Sequence, residues 1–202
     1  MRVGFWVCTV IAVAVVVRRL FALAYPPRTG PPPLVALDAA FASHAGLTLV
    51  HILPALAFVL LTPLALRRSP ALWVGKALLP LGVIVGLTAY AMSFAAIGGW
   101  IETSAVVFFD SLFLISLCMS YLRGGDMQEK RRWLMRAVAI LLGIATTRPV
   151  MAVFFATSRL THLQPSQFFG IAFWIGFSIN TLAMEWWLRA TSSRRMVQDR
   201  TA

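Results

Sequence analysis

"LLGIATTRPVMAVFF", residues 141 to 155, decides how the fold is to be interpreted. Its only charged residue is Arg148, which is followed directly by Pro149. A guanidinium keeps its proton at any accessible pH, so an arginine inside a bilayer needs a partner or a polar cavity. Two questions follow: whether this run crosses a membrane, and what its arginine pairs with.

The composition answers the first question. Hydrophobic residues make up 59% of the 202 residues, charged residues only 12%, and the mean hydropathy is +0.80. So little polar surface cannot cover a soluble globule of this size. The net charge of +11 raises the possibility of nucleic acid. However, the basic residues form short clusters between apolar runs, with no stacking platform or groove-reading motif. We therefore predict an integral membrane protein whose partner is the lipid bilayer, and no nucleic acid.

Six apolar segments are long enough to cross about 30 Å of hydrocarbon. The first resembles a cleavable signal peptide, but Arg18 and Arg19 directly after its apolar core favour its retention as a span. The proline cluster "YPPRTGPPP", residues 25 to 33, predicts a non-helical external loop. The expected fold is all-α, one domain over residues 1–202, with spans at about 3–24, 44–66, 72–98, 104–122, 133–156 and 167–188.

The distribution of basic residues predicts the orientation of the bundle. With the N-terminus inside, 13 of the 18 Lys and Arg residues fall on the inner side. The outer side keeps four: Arg18, Arg19, Arg28 and Arg159. This positive-inside bias predicts that both termini are cytoplasmic and that the protein is a multi-pass protein of the inner (cell) membrane.

Orientation converts sequence position into depth, and it places four polar side chains in one layer. Arg148 lies about 22 Å along the fifth span from Trp133. Asp110 lies about 12 Å below the outer surface, and His51 about 10 Å below it. Tyr90 reaches a similar height from the inner side. The sequence therefore predicts a ligand-binding polar layer of His51, Tyr90, Asp110 and Arg148 in the outer half.

Asp110 is the expected partner of Arg148. An unpaired charge at this depth costs about 2.5–3.5 kcal/mol, and Asp110 is the one acidic residue within a span at the same height. Pro149 frees backbone carbonyls that could accept further bonds. Alternatives stay open: the pair could only fix helix register, His51 could be an interhelical hydrogen-bonding residue, and Tyr90 an interfacial aromatic.

A second polar group, Arg136, Asn180 and Glu185, is expected toward the cytoplasmic side. Glu185 has Arg189 as its i+4 partner, and Arg136 can approach from the fifth span. The alternative is an interfacial salt bridge beside a tryptophan belt.

The sequence gives no positive sign of a cofactor, a metal site or catalysis. A bis-histidine haem needs two histidines that face each other. Here His162 falls in a loop, and His44 and His51 lie on the same span about 10 Å apart. No HExxH, GxSxG, P-loop or dinucleotide-binding motif is present in the sequence. We therefore expect no bound haem or metal.

Three stretches resemble a family of bacterial membrane proteins grouped as domain of unknown function 2306. They are "HILPALAFVLLTPLALRRSPALWVGK" (51–76), "DMQEKRRWLMRAVAILLGIATTRPV" (126–150) and "WIGFSINTLAMEWWLR" (174–189). The resemblance covers about residues 45–189, and it implies that His51, Arg136, Arg148, Asn180 and Glu185 stand at matching positions. A histidine that is usual in the family is replaced here by Lys130, and a histidine–arginine pair before the third span is replaced by Ala71 and Leu72. The resemblance supplies no activity or substrate.

Three functions remain under consideration. The first is binding or movement of a small ligand, such as a carboxylate, a quinone or a lipid headgroup, through the outer polar layer. The second is a structural or assembly subunit of a membrane complex or homo-oligomer, in which buried charges only fix the packing. The third, a haem or redox protein, is the least favoured because histidines are scarce.

Overall fold

The computed structural model describes residues 2–25, 32–67, 72–123 and 125–201. Within those ranges the chain forms helices and no strand: α1 (Arg2–Ala24), α2 (Pro32–Ala42), α3 (Ala45–Ala65), α4 (Leu72–Ser93), α5 (Gly99–Leu122), α6 (Met127–Leu141), α7 (Gly143–Thr161) and α8 (Pro165–Thr201).

Six helical segments are long and apolar enough to cross a membrane, so the all-α, six-span prediction is confirmed. They are Val3–Ala24, Ala45–Ala65, Trp73–Ser93, Gly99–Leu122, Met127–Ser158 and Pro165–Ser192. The cytoplasmic placement of both termini stays a prediction.

The connection between α4 and α5 lies earlier in the chain than expected. α4 ends at Ser93 and α5 begins at Gly99, whereas the sequence predicted boundaries near residues 98 and 104. Gly99 has a φ of 60°, a conformation that favours glycine and that interrupts a right-handed helix. The Gly98 N–H donates to Glu102 Oε2 (2.7 Å), and the Thr103 hydroxyl donates to the Ser93 carbonyl (3.0 Å). These bonds satisfy backbone groups at both helix ends.

The predicted external loop is partly helical. Residues 26–31 of that loop lie outside the described ranges, but Pro32 and Pro33 open α2. Proline is tolerated in the first helical turn because an N–H there has no intrahelical acceptor. The prediction that the whole proline cluster is non-helical was therefore wrong at its C-terminal end. α2 packs against α1 and α3.

The fifth span is two helices rather than one. α6 starts at an Asp126 cap, whose carboxylate accepts from the Gln128 and Glu129 N–H groups (2.8 and 3.1 Å). It ends at Leu141, and after a turn at Leu142 the chain continues as α7. Pro149 lacks an N–H, and its ring crowds the carbonyl four residues back, which loosens the first turns of α7. α6 packs mainly on α5 and α8, whereas α7 packs mainly on α8 and α1.

Those neighbours set the architecture. α5 packs against α4, α6 and α8, whereas α7 packs mainly on α8 and α1. Glycine permits the close approach of α7 and α8, because a methyl group at Gly176 would lie 2.7 Å from the backbone nitrogen of Thr147. The fully buried side chains of the centre include Phe58, Val85, Phe113 and Val138.

Candidate functional site

A cavity of about 250 Å³ lies within the bundle and is lined by residues from all eight described helices, α1 to α8. Most of its lining is apolar, with several aromatic rings. The polar exceptions come from five helices and the junction between α2 and α3: Arg19, His44, Thr48, His51, Ser93, Glu102, Asp110 and Arg148. An apolar chamber with few convergent polar groups is the usual form of a small-molecule site.

Three of the four residues predicted for the outer polar layer line this cavity: His51, Asp110 and Arg148. Tyr90 does not line it, since its hydroxyl is paired with Ser111 Oγ at 2.8 Å. His51, Asp110 and Arg148, which were predicted at similar depth, therefore line one cavity. The orientation of α4 about its own axis places Tyr90 outside the cavity lining.

The expected ion pair between Arg148 and Asp110 is not formed. Among the described residues, neither of the two takes part in a salt bridge, and both Asp110 Oδ2 and Arg148 Nε are buried without a hydrogen-bond partner. The pairing hypothesis assumed one continuous fifth span beside the fourth. In the structure α6 packs on α5, and the break at Leu142 then carries α7 against α8 and α1.

Arg148 instead borders the cavity with its hydrogen-bonding capacity largely unused. Within the part of the chain that the structure describes, its one hydrogen-bonding contact is a weak one, from Nη1 to the Met151 sulfur at 3.9 Å. Buried polar groups are normally satisfied, so an exception of this kind calls for a ligand, an ion or water. Arg148 and Asp110 therefore give the cavity an unused donor group and an unused acceptor group.

The histidines at the cavity are each oriented by a neighbouring hydroxyl group. Thr88 Oγ1 lies 3.0 Å from His51 Nδ1, and the Thr88 hydroxyl donates to the carbonyls of Ile84 (2.6 Å) and Val85 (3.0 Å). The hydroxyl oxygen can then accept from Nδ1–H of His51. Ser43 acts in the same way on His44 Nδ1 (2.9 Å), because it donates to the Ala40 carbonyl.

Sequence reasoning missed an ionic cluster near the C-terminal end of α1. Asp38 of α2 accepts two bonds from Arg18 (2.8 and 3.1 Å) and one from Arg19 (2.6 Å). Arg19 also lies 3.9 Å above the centre of the Phe41 ring and lines the cavity. A lone acid in an apolar stretch close to two outer arginines was an available signal. It was overlooked because residues after the proline cluster were not expected to fold onto α1.

Glu102 is a second residue that the sequence did not single out. It is buried, it lines the cavity, and one carboxylate oxygen accepts the Gly98 N–H. Its helix-capping contact explains its burial, so it supports the cavity wall at the start of α5.

The second predicted polar group separates into two contacts. Arg136 makes a two-bond ion pair with Glu185, at 2.5 and 3.2 Å, and stacks on Trp133 at 4.5 Å. Asn180 does not join them. It accepts from the Thr146 hydroxyl (2.7 Å) and donates to the Ala139 carbonyl (3.3 Å). One amide thus connects both sides of the break between α6 and α7.

We expect Asn180→Leu to lower the free energy of unfolding by about 1–3 kcal/mol, because it leaves the Ala139 carbonyl and the Thr146 hydroxyl unpaired. Chemical denaturation in detergent micelles measures the change. Thr181→Val is the matched control, since that hydroxyl donates only to the Phe177 carbonyl of its own helix. Equal effects of the two substitutions would show that the hydrogen bonds of Asn180 to Ala139 and Thr146 do not contribute to the free energy of unfolding.

Comparison with known proteins identifies the family. The sequence profile of the DUF2306 predicted membrane proteins matches residues 43–188, well over half of the chain. The protein belongs to the DUF2306 family. No curated protein and no solved structure matches it. The cavity residues His51, Asp110 and Arg148 of this DUF2306 protein lie inside the matched range, whereas Arg19 and Asp38 precede it.

Among the residues of this DUF2306 member that the structure describes, no group of three or more His, Cys, Asp or Glu side chains could hold a metal ion. The cavity suits hydrogen bonding to an organic ligand, with the Arg148 guanidinium and several acceptors around an apolar space.

Proposed function

We propose that this protein binds a small amphipathic ligand inside the bundle, with an oxygen acceptor of the ligand on Arg148 and its apolar body among the cavity's aromatic rings. The observation that carries the proposal is a buried guanidinium nitrogen without a partner at the wall of a cavity. Carboxylates, quinone carbonyls and lipid headgroups all offer the acceptor oxygen that a guanidinium binds well.

The dimensions of the cavity fit this ligand class. Its volume of about 250 Å³ exceeds the ~150 Å³ of an engineered cavity that holds benzene. It lies just below the ~300–1,000 Å³ of typical small-molecule pockets. A ring or short chain with one polar end is therefore favoured over a large cofactor.

The acceptors narrow the ligand further. Among the described residues, Asp110 Oδ2 of α5 has no donor, and His51 of α3 lines the same cavity, whereas Arg148 comes from α7. A ligand that carries a hydroxyl beside its acceptor oxygen would satisfy both sides of the cavity. The binding role would thus use all three predicted residues.

The alternative function, a structural or assembly subunit, has its own support in the contacts nearer the other side of the membrane. The Arg136–Glu185 ion pair and the hydrogen bonds of Asn180 connect protein groups with each other, and they join α6, α7 and α8. Such contacts fix the packing of helices without needing a ligand. They leave Arg148 unexplained, and so binding is the preferred proposal.

Solvent extraction of the purified protein followed by mass spectrometry tests the proposal. We expect a small molecule that is retained by the wild type and reduced at least about tenfold in Arg148→Gln, because a hydrogen bond to a charged group contributes about 1.5–3 kcal/mol. Tyr90→Phe is the control, since Tyr90 does not line the cavity. Absence of any compound enriched in wild type over Arg148→Gln would contradict the proposal.

A further inference from the structure

A second pocket lies between the start of α6 and the later part of α8, and it shares no lining residue with the cavity described above. Its volume is about 490 Å³, and it is lined by Met127, Gln128, Arg131, Arg132, Met135, Trp187, Leu188, Thr191 and Ser192. Among the described residues, the lining includes two arginines and no carboxylate. We propose that this pocket binds the phosphate group and upper acyl chain of an anionic phospholipid.

The depth of the pocket matches the headgroup layer. The membrane-spanning segment of α6 and α7 begins at Met127, and that of α8 ends at Ser192, so the pocket is formed at one end of both spans. Trp186 is 77% exposed beside it, as is usual for a tryptophan at a membrane interface. The pocket therefore opens at the level of lipid phosphates.

The direction of the two helices gives the pocket a polarity. Moving inward along α6, Gln128, Arg131 and Arg132 come first, and Met135 follows one turn deeper. α8 runs the opposite way, with Leu188 deeper than Thr191 and Ser192. The rim is thus cationic and polar, while the floor is apolar. A phospholipid in the leaflet has the same order, with phosphate above ester and hydrocarbon.

The arginines at the rim are only partly used by the protein. Arg131 donates from Nη2 to the Arg67 carbonyl (2.5 Å), while its Nε is buried without a partner. Arg132 makes one long ion pair with Glu129, at 3.5 Å. The nearby Asp126 is already occupied as the cap of α6. These unused guanidinium donors, with Glu129 engaged only through one contact of 3.5 Å, favour a ligand that carries net negative charge.

Thermal unfolding of delipidated protein in a non-ionic detergent, with added short-chain phosphatidylglycerol, tests the proposal. We expect phosphatidylglycerol to raise the unfolding midpoint in a saturable way, and phosphatidylcholine to do so far less. Arg132→Gln should raise the half-saturating lipid concentration about fivefold, and Arg131→Gln with Arg132→Gln about 25-fold, since each basic residue near the surface contributes about that factor.

Arg123→Gln is the matched control, because it removes one positive charge on the same side of the bundle from a residue that does not line the pocket. If Arg131→Gln disturbs folding through its bond to Arg67, Arg132→Gln alone decides the test. Equal responses to the two lipids, or equal losses in Arg123→Gln and Arg132→Gln, would overturn the proposal. Displacement of the lipid effect by millimolar inorganic phosphate would assign the pocket to soluble phosphate and overturn it as well.

Discussion

Asp38→Asn is expected to lower the free energy of unfolding by about 3–5 kcal/mol, the usual cost of removing one member of a buried ion pair. Asp38 is 4% exposed and accepts from both Arg18 and Arg19. The substitution leaves two neighbouring guanidinium groups without an anion, one of them 6% exposed. Denaturation of the purified protein in micelles measures the change.

Two further variants separate this effect from a general loss of charge. Arg18→Gln should be much milder, because the Arg18 side chain is half exposed and the Arg19–Asp38 pair remains. Asp126→Asn should be close to neutral, since asparagine caps a helix about as well as aspartate. An Asp38→Asn variant as stable as Asp126→Asn would show that α2 does not dock on α1.

Arg148→Met is expected to raise the stability of ligand-free protein, which is unusual for a buried position. An unpaired charge at this depth costs about 2.5–3.5 kcal/mol, and methionine fills a similar elongated space without that cost. We expect a gain of about 1–3 kcal/mol together with loss of the bound ligand. Functional sites commonly hold destabilising groups of this kind.

The matched control for Arg148→Met is Arg136→Met. Arg136 is paired with Glu185, so its replacement leaves a partly buried carboxylate without a partner and should lower stability. The two substitutions are chemically identical and should have opposite signs. If both lower stability to a similar extent, Arg148 has a partner in the folded protein and the cavity site is misassigned.

A double-mutant cycle tests whether Arg148 and Asp110 interact directly. Because Arg148 and Asp110 make no ion pair, Arg148→Met and Asp110→Asn should be additive within about 0.5 kcal/mol in ligand-free protein. A larger coupling energy would restore the direct pair that the sequence suggested.

The span count, the helical class and the grouping of His51, Asp110 and Arg148 could all be predicted because each depends on position along a helix axis. A rise of about 1.5 Å per residue converts sequence number into depth without tertiary information. These three residues line one cavity, as their similar depth permits.

The failures depend on rotation and on helix breaks, which depth does not determine. Tyr90 lies at the predicted depth, but its hydroxyl is paired with Ser111. Asp110 also lies at the predicted depth, but it belongs to α5, whereas α7 packs mainly on α8 and α1. The break at Leu142 comes seven residues before Pro149, too far upstream for the proline alone to locate it from sequence. Asp38 was missed because its contacts require α2, a helix that begins at two prolines.

A high-resolution experimental structure of the protein in lipid nanodiscs tests the central claim most directly. The account predicts non-protein density in the cavity with an acceptor atom about 2.7–2.9 Å from the Arg148 guanidinium, and His51 and Asp110 on the opposite side. A closed cavity, in which Arg148 meets Asp110 directly and leaves no room for a ligand, would contradict it.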